Sequence, residues 1–157
     1  MASKYGGLKT MKEKSVFLHV GLTVSDIDRT VEFYKKYFGF ELEHRSVFPP
    51  EFIGDVPRLY RQKEGTYSHF AFLKSPSGII LELFQFSSME PAEEPVWNRP
   101  GYHHLCMKVE NLHETYREMS ADGVEFYFEP KVMSDRKELA HWVFLKDPDG
   151  NMIELQD

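Results

Sequence analysis

From Val16 to Val24 the chain alternates strictly: Val16, Leu18, Val20, Leu22 and Val24 are aliphatic, and Phe17, His19, Gly21 and Thr23 fill the places between. A period of two marks a strand with two distinct faces, here one wholly aliphatic and one carrying His19. The period then lengthens. In SDIDRTVEFYKKYFGF, Ile27, Val31, Tyr34 and Phe38 recur at helical spacing, with Ser25 or Asp26 placed to cap the start and Gly39 to end it. The apolar stripe of that helix is expected to cover the aliphatic side of the sheet. Further strands follow and close in a hairpin across SPSG (75–78), where Pro and Gly supply the turn.

The same order returns later in the chain. His69–Leu83 and His141–Leu155, a shift of 72, share eight of fifteen residues without a gap, including Lys74/Lys146, Pro76/Pro148, Gly78/Gly150 and Glu82/Glu154. At a shift of 85, His19–Val24 matches His104–Val109, and Asn111, Leu112, Tyr116 and Met119 repeat the helix up to Gly123. The chain therefore reads as a duplication: a flexible N-terminal arm (1–14), a first βαβββ module (15–88), a linker (89–100) and a second module (101–157). Three prolines and three glutamates give the linker its character. A curved four-stranded sheet alone leaves one face bare, so two must pair. The expected class is α+β, two tandem βαβββ modules forming a curved mixed sheet around a metal-containing cavity.

Parity places the candidate chemistry. Ile79, Leu81 and Leu83 form an aliphatic face, which puts Glu82 on the other; Ile153 and Leu155 likewise set Glu154 apart. His104 shares a face with Cys106 and Lys108, opposite Leu105 and Met107, and His103 is expected to pack toward the helix. His19, Glu82, His104 and Glu154 thus all face away from the helix-covered side, as two copies of one His/Glu pair. A buried pair of carboxylates without a cation is costly, whereas a divalent ion neutralises it.

Composition narrows the partners. The 157 residues carry a net charge of −6 and show no clustered basic face, which argues against nucleic acid and toward a small-molecule substrate. No apolar run reaches the roughly 18 residues of a membrane span. The N-terminal stretch lacks the apolar segment of a secretory signal, and the single cysteine, Cys106, allows no internal disulfide, so a cytoplasmic setting is the default. Aromatic residues are 15% of the chain. Many gather in VFPPEFIGDVPRLYRQKEGTYS (47–68), which interrupts the repeat and is expected to shape the substrate pocket, Phe52 and Tyr60 as apolar wall and Arg58 and Arg61 toward an anionic group. A hairpin pairing Lys74 with Ile79 places His69 opposite Phe84, and the same count places His141 opposite Gln156, so both are candidate substrate contacts. A slip of one residue turns both away.

The pattern His-x-x-x-x-Val-x-Asp, then a helix ending Phe-Gly-Phe, then Pro-x-Gly-x-x-x-Glu-Leu, all echoed in the second module, resembles the vicinal-oxygen-chelate superfamily over about residues 15–156. That superfamily includes glyoxalase I, methylmalonyl-CoA epimerase, extradiol dioxygenases, and fosfomycin- and bleomycin-resistance proteins. The resemblance implies that His19, Glu82, His104 and Glu154 are metal ligands. Keeping all four is similar to glyoxalase I: methylmalonyl-CoA epimerases typically have Gln at the place of Glu82, extradiol dioxygenases use two His and one carboxylate, and bleomycin-resistance proteins lack the set. It implies a divalent-metal-dependent lyase or isomerase with one Ni, Co, Mn, Zn or Fe ion per site, chelating a hydroxy-carbonyl substrate and stabilising an enediolate during proton transfer. Glu154 is the expected base, with Glu82 able to return the proton. The alternatives are an epimerase, an Fe(II) dioxygenase, or a drug- or metabolite-binding protein without turnover. A homodimer is expected, with the site formed within one chain or between two.

Overall fold

A computed structural model describes residues 16–91, 93, 96–133 and 140–157; the expected arm at 1–14 lies outside them. Strand β1 (His19–Thr23) leads into helix α1 (Ile27–Phe38), whose first turn is capped by the Asp26 carboxylate accepting from the Asp28 and Arg29 backbone N–H groups. Strand β2 (Glu41–Phe48) follows. The segment expected to shape a pocket then folds as two short helices, α2 (Pro50–Gly54) and α3 (Pro57–Tyr60), each entered through a proline whose missing N–H costs nothing at that position. Strands β3 (Ser68–Lys74) and β4 (Ile80–Phe86) complete a four-stranded sheet in the order β1-β4-β3-β2, with β1 parallel to β4.

The second module repeats this plan with β5 (His104–Lys108), α4 (Leu112–Ala121), β6 (Lys131–Met133), β7 (Ala140–Lys146) and β8 (Met152–Gln156), ordered β5-β8-β7-β6. Asn111 caps α4 by accepting from the Glu114 N–H. Among the described residues no helix is long and apolar enough to cross a membrane.

Both hairpins turn more tightly than SPSG and DPDG suggest. Ser75 N–H donates to Ile79 O at 2.8 Å, so the turn proper is three residues, Pro76–Gly78, with Gly78 at φ +90. Asp147 N–H donates to Asn151 O at 2.9 Å, and Gly150 sits at φ +82 in the same role. A left-handed residue after a tight turn is the usual three-residue hairpin, and glycine adopts it without a Cβ clash. Lys74 consequently pairs with Ile80, not Ile79, and Phe72 stands opposite Glu82. This one-residue shift sends Ala71 and Leu73 into the core and Phe70 and Phe72 to the face that bears Glu82.

The α+β class and the two modules stand as expected, but the sheets are separate rather than one continuous curve. Within the chain the modules meet through their helix-covered sides. Val24, Ile27, Tyr34, Leu73, Leu81 and Leu83 of the first share one core with Leu112, Met119, Val143, Leu145, Ile153 and Leu155 of the second. A polar seam fastens the contact. Asp149, in the second hairpin, accepts from Ser25 N–H at 3.1 Å and Arg29 Nη2 at 3.0 Å, and Thr30 Oγ1 donates to it at 3.3 Å. Tyr34, fully buried, donates to Asp147 Oδ2 at 3.4 Å. Burial first, and the neighbouring Asp147 carboxylate second, push the Tyr34 phenol well above its usual range. The two concave faces look away from this core, and the cavity beside Glu82 and the one beside Glu154 are each lined from one module only and its neighbouring linker residues.

Candidate metal centre

Each concave face carries one His/Glu pair. In the first module β1 and β4 run parallel with Gly21 opposite Glu82, which brings His19 Nε2 to 3.2 Å from Glu82 Oε2. In the second, β5 and β8 bring His104 Nε2 to 3.1 Å from Glu154 Oε2. Both carboxylates are largely buried against their sheets, and both histidines keep an open side. Among the described residues no three of His, Cys, Asp and Glu converge as a metal-holding group. The structure therefore brings the four candidates together as two pairs, one per module.

The surroundings of the pairs differ. Gln156 Nε2 donates to Glu154 Oε1 at 2.7 Å, holding that carboxylate with its other oxygen toward His104; beside Glu82 the equivalent position is Phe84. The second pair opens on a cavity of about 800 Å³ lined by Trp97, Tyr127, Phe128, Trp142 and Phe144. On the first, His19 shares a hollow with His44 and Phe72, and Glu82 borders a separate cavity of about 670 Å³ with Tyr60, Phe84 and Phe86. Burial first, and the Glu82 charge second, raise the Tyr60 phenol above its ordinary value, so it stays a hydrogen-bond donor.

The expected substrate residues divide. Tyr60 lines the cavity beside Glu82, and Phe52 lies against Phe48 with ring centres 4.5 Å apart. Arg58 and Arg61 are exposed and line none of that cavity. His69 and His141 are corrections, for the three-residue turns rotate both to the helix side. His69 stands opposite Gln85, edge-on to Tyr67 at 5.5 Å, on the strand face that Ala71 and Leu73 turn into the core. His141 lies 4.7 Å from the His113 ring of α4, and its Nδ1 is 3.3 Å from the Asp157 carboxylate.

Sequence reasoning missed His44 and Trp97. A bulge between Leu42 and His44 breaks the alternation of β2 and delivers His44 to the concave face, opposite Phe72 and 5.5 Å from the Phe70 ring. Trp97, inside the supposed linker, stacks on His103 at 5.4 Å and lies 5.6 Å from the candidate ligand His104. His103 thus packs on Trp97 rather than on the helix. The one signal available was a tryptophan in an otherwise polar stretch.

The family model described as the Glyoxalase/Bleomycin resistance protein/Dioxygenase superfamily matches residues 16–155. The chain belongs to this superfamily. Its relatives include a lactoylglutathione lyase of Schizosaccharomyces pombe, 30% identical over 87% of this chain and 45% of that protein. A 2-epi-5-epi-valiolone epimerase of an Actinomyces species is 28% identical over 87% of this chain and 76% of the epimerase. The chain spans under half the length of the first curated relatives it matches. Among solved structures, a glyoxalase family protein of Bacillus cereus superposes with a TM-score of 0.73 at 20% identity, covering 99% of this chain and 97% of the other, which shows the superfamily fold.

Proposed function

We propose that the chain is a divalent-metal-dependent lyase or isomerase of the glyoxalase I kind, working as a homodimer in which each site takes His19 and Glu82 from one chain and His104 and Glu154 from the other. The observation that carries this reading is the recurrence of one His/Glu pair at the same place in both modules, each with its Nε2 and Oε2 about 3 Å apart. Two imidazoles and two carboxylates suit Ni, Co, Mn, Zn or Fe. Because the helix sides share a core within the chain, the two concave faces are left to meet those of a second copy.

When bound, the ion supplies Lewis acidity to two neighbouring oxygens of a hydroxy-carbonyl substrate. The chain's own residues do the rest. Glu154 accepts the proton from the carbon beside the carbonyl, its orientation fixed by the Gln156 amide. Glu82, facing the same substrate from the other module, returns a proton to the adjacent carbon. The aromatic walls beside each pair orient the substrate between the two carboxylates, and the open side of each pair lets the captured proton exchange with solvent before it is returned. Similarity to an epimerase as well as to a lyase supports the proton-transfer step rather than any one substrate.

The test is metal reconstitution followed by deuterium wash-in from heavy water on a panel of α-hydroxy ketones and the methylglyoxal–glutathione adduct. Metal-dependent exchange that is abolished by Glu154→Gln is expected. Absence of bound metal after reconstitution, with no exchange on any member of the panel, refutes the proposal.

A further inference from the structure

Between β2 and β3 the first module carries residues 49–67, where the second has only 134–139 between β6 and β7, and the structure shows what the longer segment builds. Helix α3 lays Leu59 and Tyr60 beside the first sheet, bordering an open cavity of about 670 Å³ that reaches Glu82 on one side and Glu90 on another. That volume lies within the range of small-molecule pockets. Its inner surface is aromatic and flat in a defined direction. Phe84 and Phe86 have ring planes only 15° apart, Phe48 stacks between Phe52 and Phe70 at 4.5 and 4.2 Å, and Tyr60 stands across Phe86 at 61° as an end wall. A planar group laid on Phe84 is nearly parallel to Phe86 as well, the offset arrangement that aromatic rings prefer.

Charge points the same way. Among the described residues, the ionisable groups of the lining are Glu82, Glu90 and the Tyr60 phenol, with no lysine, arginine or histidine. Arg58 and Arg61 stand in the same segment but on its exposed outside. The two carboxylates of a glutathione adduct would meet Glu90 here, and no described cationic side chain of this module lines the cavity to pair with them. Gly21, on β1 between His19 and Thr23, keeps the passage to Glu82 open: a Cβ there would meet Phe84 Cε2 at 3.6 Å and Glu82 Oε2 at 4.0 Å, so a longer side chain fills the cavity.

We infer that this cavity is the subsite for an uncharged, flat aromatic group carried by the substrate next to its oxygen pair, so that the substrate is an aryl-substituted hydroxy-carbonyl compound rather than a glutathione adduct. The inference rests on the proposed metal site, from which the oxygen pair is held.

Two unreactive bidentate chelators separate the two ideas. Acetohydroxamate and benzohydroxamate offer the same oxygen pair and differ in the ring. Titration calorimetry on the full, metal-loaded protein is expected to give benzohydroxamate about ten- to a hundredfold tighter, the effect of burying one phenyl ring. Tyr60→Ala, in a short exposed segment outside the core, and Phe86→Ala, four residues along β4 from Glu82, are each expected to remove that preference while acetohydroxamate binds as before. S-methylglutathione, which has the tripeptide and no ring, is expected not to displace benzohydroxamate. Equal affinity for the two hydroxamates, a preference that survives in both variants, or displacement by S-methylglutathione overturns the subsite and leaves the metal site standing. Failure of both hydroxamates to bind overturns the metal site and the subsite together.

Discussion

A site shared between two chains makes a quantitative prediction that a site within one chain does not. Take one variant with His19→Ala and another with His104→Ala. As homodimers, each has every site damaged, because each site lacks one of its two imidazoles. Exchange equal amounts, and about half of the dimers become mixed. In a mixed dimer the face bearing the His19 alanine meets the face bearing the His104 alanine, and one site loses both histidines. The other site then joins an intact His19/Glu82 pair (3.2 Å) to an intact His104/Glu154 pair (3.1 Å) and is fully restored. One intact site of two, in half of the dimers, is about one quarter of the parent's sites. The assay is the metal retained after gel filtration at a free-ion concentration that saturates the parent and not the single variants. Two different affinity tags, used in sequence, isolate the mixed dimer, for which about half the parent's metal is expected. If the doubly tagged species forms and retains no more metal than the single variants, the sharing of ligands between chains is wrong.

Three further outcomes are expected. Tyr34→Phe removes the phenol that donates to Asp147, costing about 1 kcal/mol in denaturant unfolding at neutral pH. It also changes the alkaline limb. The folded phenol is held well above its ordinary value, so above pH about 10 the unfolded chain ionises first and stability falls as pH rises, a loss the variant lacks; an unchanged alkaline limb refutes the assignment. Leu83→Ala, at a fully buried position in the core shared by both modules, is expected to cost about 2–5 kcal/mol in a single cooperative transition, and two separate transitions would contradict the shared core. His69→Ala is expected to leave metal content and wash-in at parental levels, since His69 lies on the helix side; a tenfold loss would restore it as a substrate contact.

Much of this architecture is legible before any coordinates, and the reasons for the remainder are local. Strict alternation in β1 and β5 fixes which side His19 and His104 occupy, because a strand has only two faces. Asp26, Gly39 and Asn111 bound their helices through backbone hydrogen bonds that depend on neighbouring residues alone. His69 and His141 went astray because SPSG and DPDG do not announce whether their turn holds three residues or four, and one residue reverses every side chain of the strand before it. His44 is hidden by a bulge, which interrupts the same alternation. Trp97 docks beside His104 through a contact between segments, to which a local pattern is blind. The largest missing piece was which faces of the modules meet: a helical stripe at Ile27, Val31 and Tyr34 says that something covers it, but not that the second hairpin takes part.

That second hairpin breaks the symmetry of an otherwise repeated design. Ser75 and Ser77 of the first turn hydrogen-bond to each other at 2.9 Å, while Asp147 and Asp149 at the same two places of the second reach across to Tyr34 and to Ser25, Arg29 and Thr30. Two positions, serine in one copy and aspartate in the other, give the duplicated chain a polarity, a latch on one half and a catch on the other. Modules joined in the reverse order would keep every candidate ligand and every core leucine, yet the latch would have to find its catch along a different path. The order in which the halves are written is therefore itself part of what the sequence encodes.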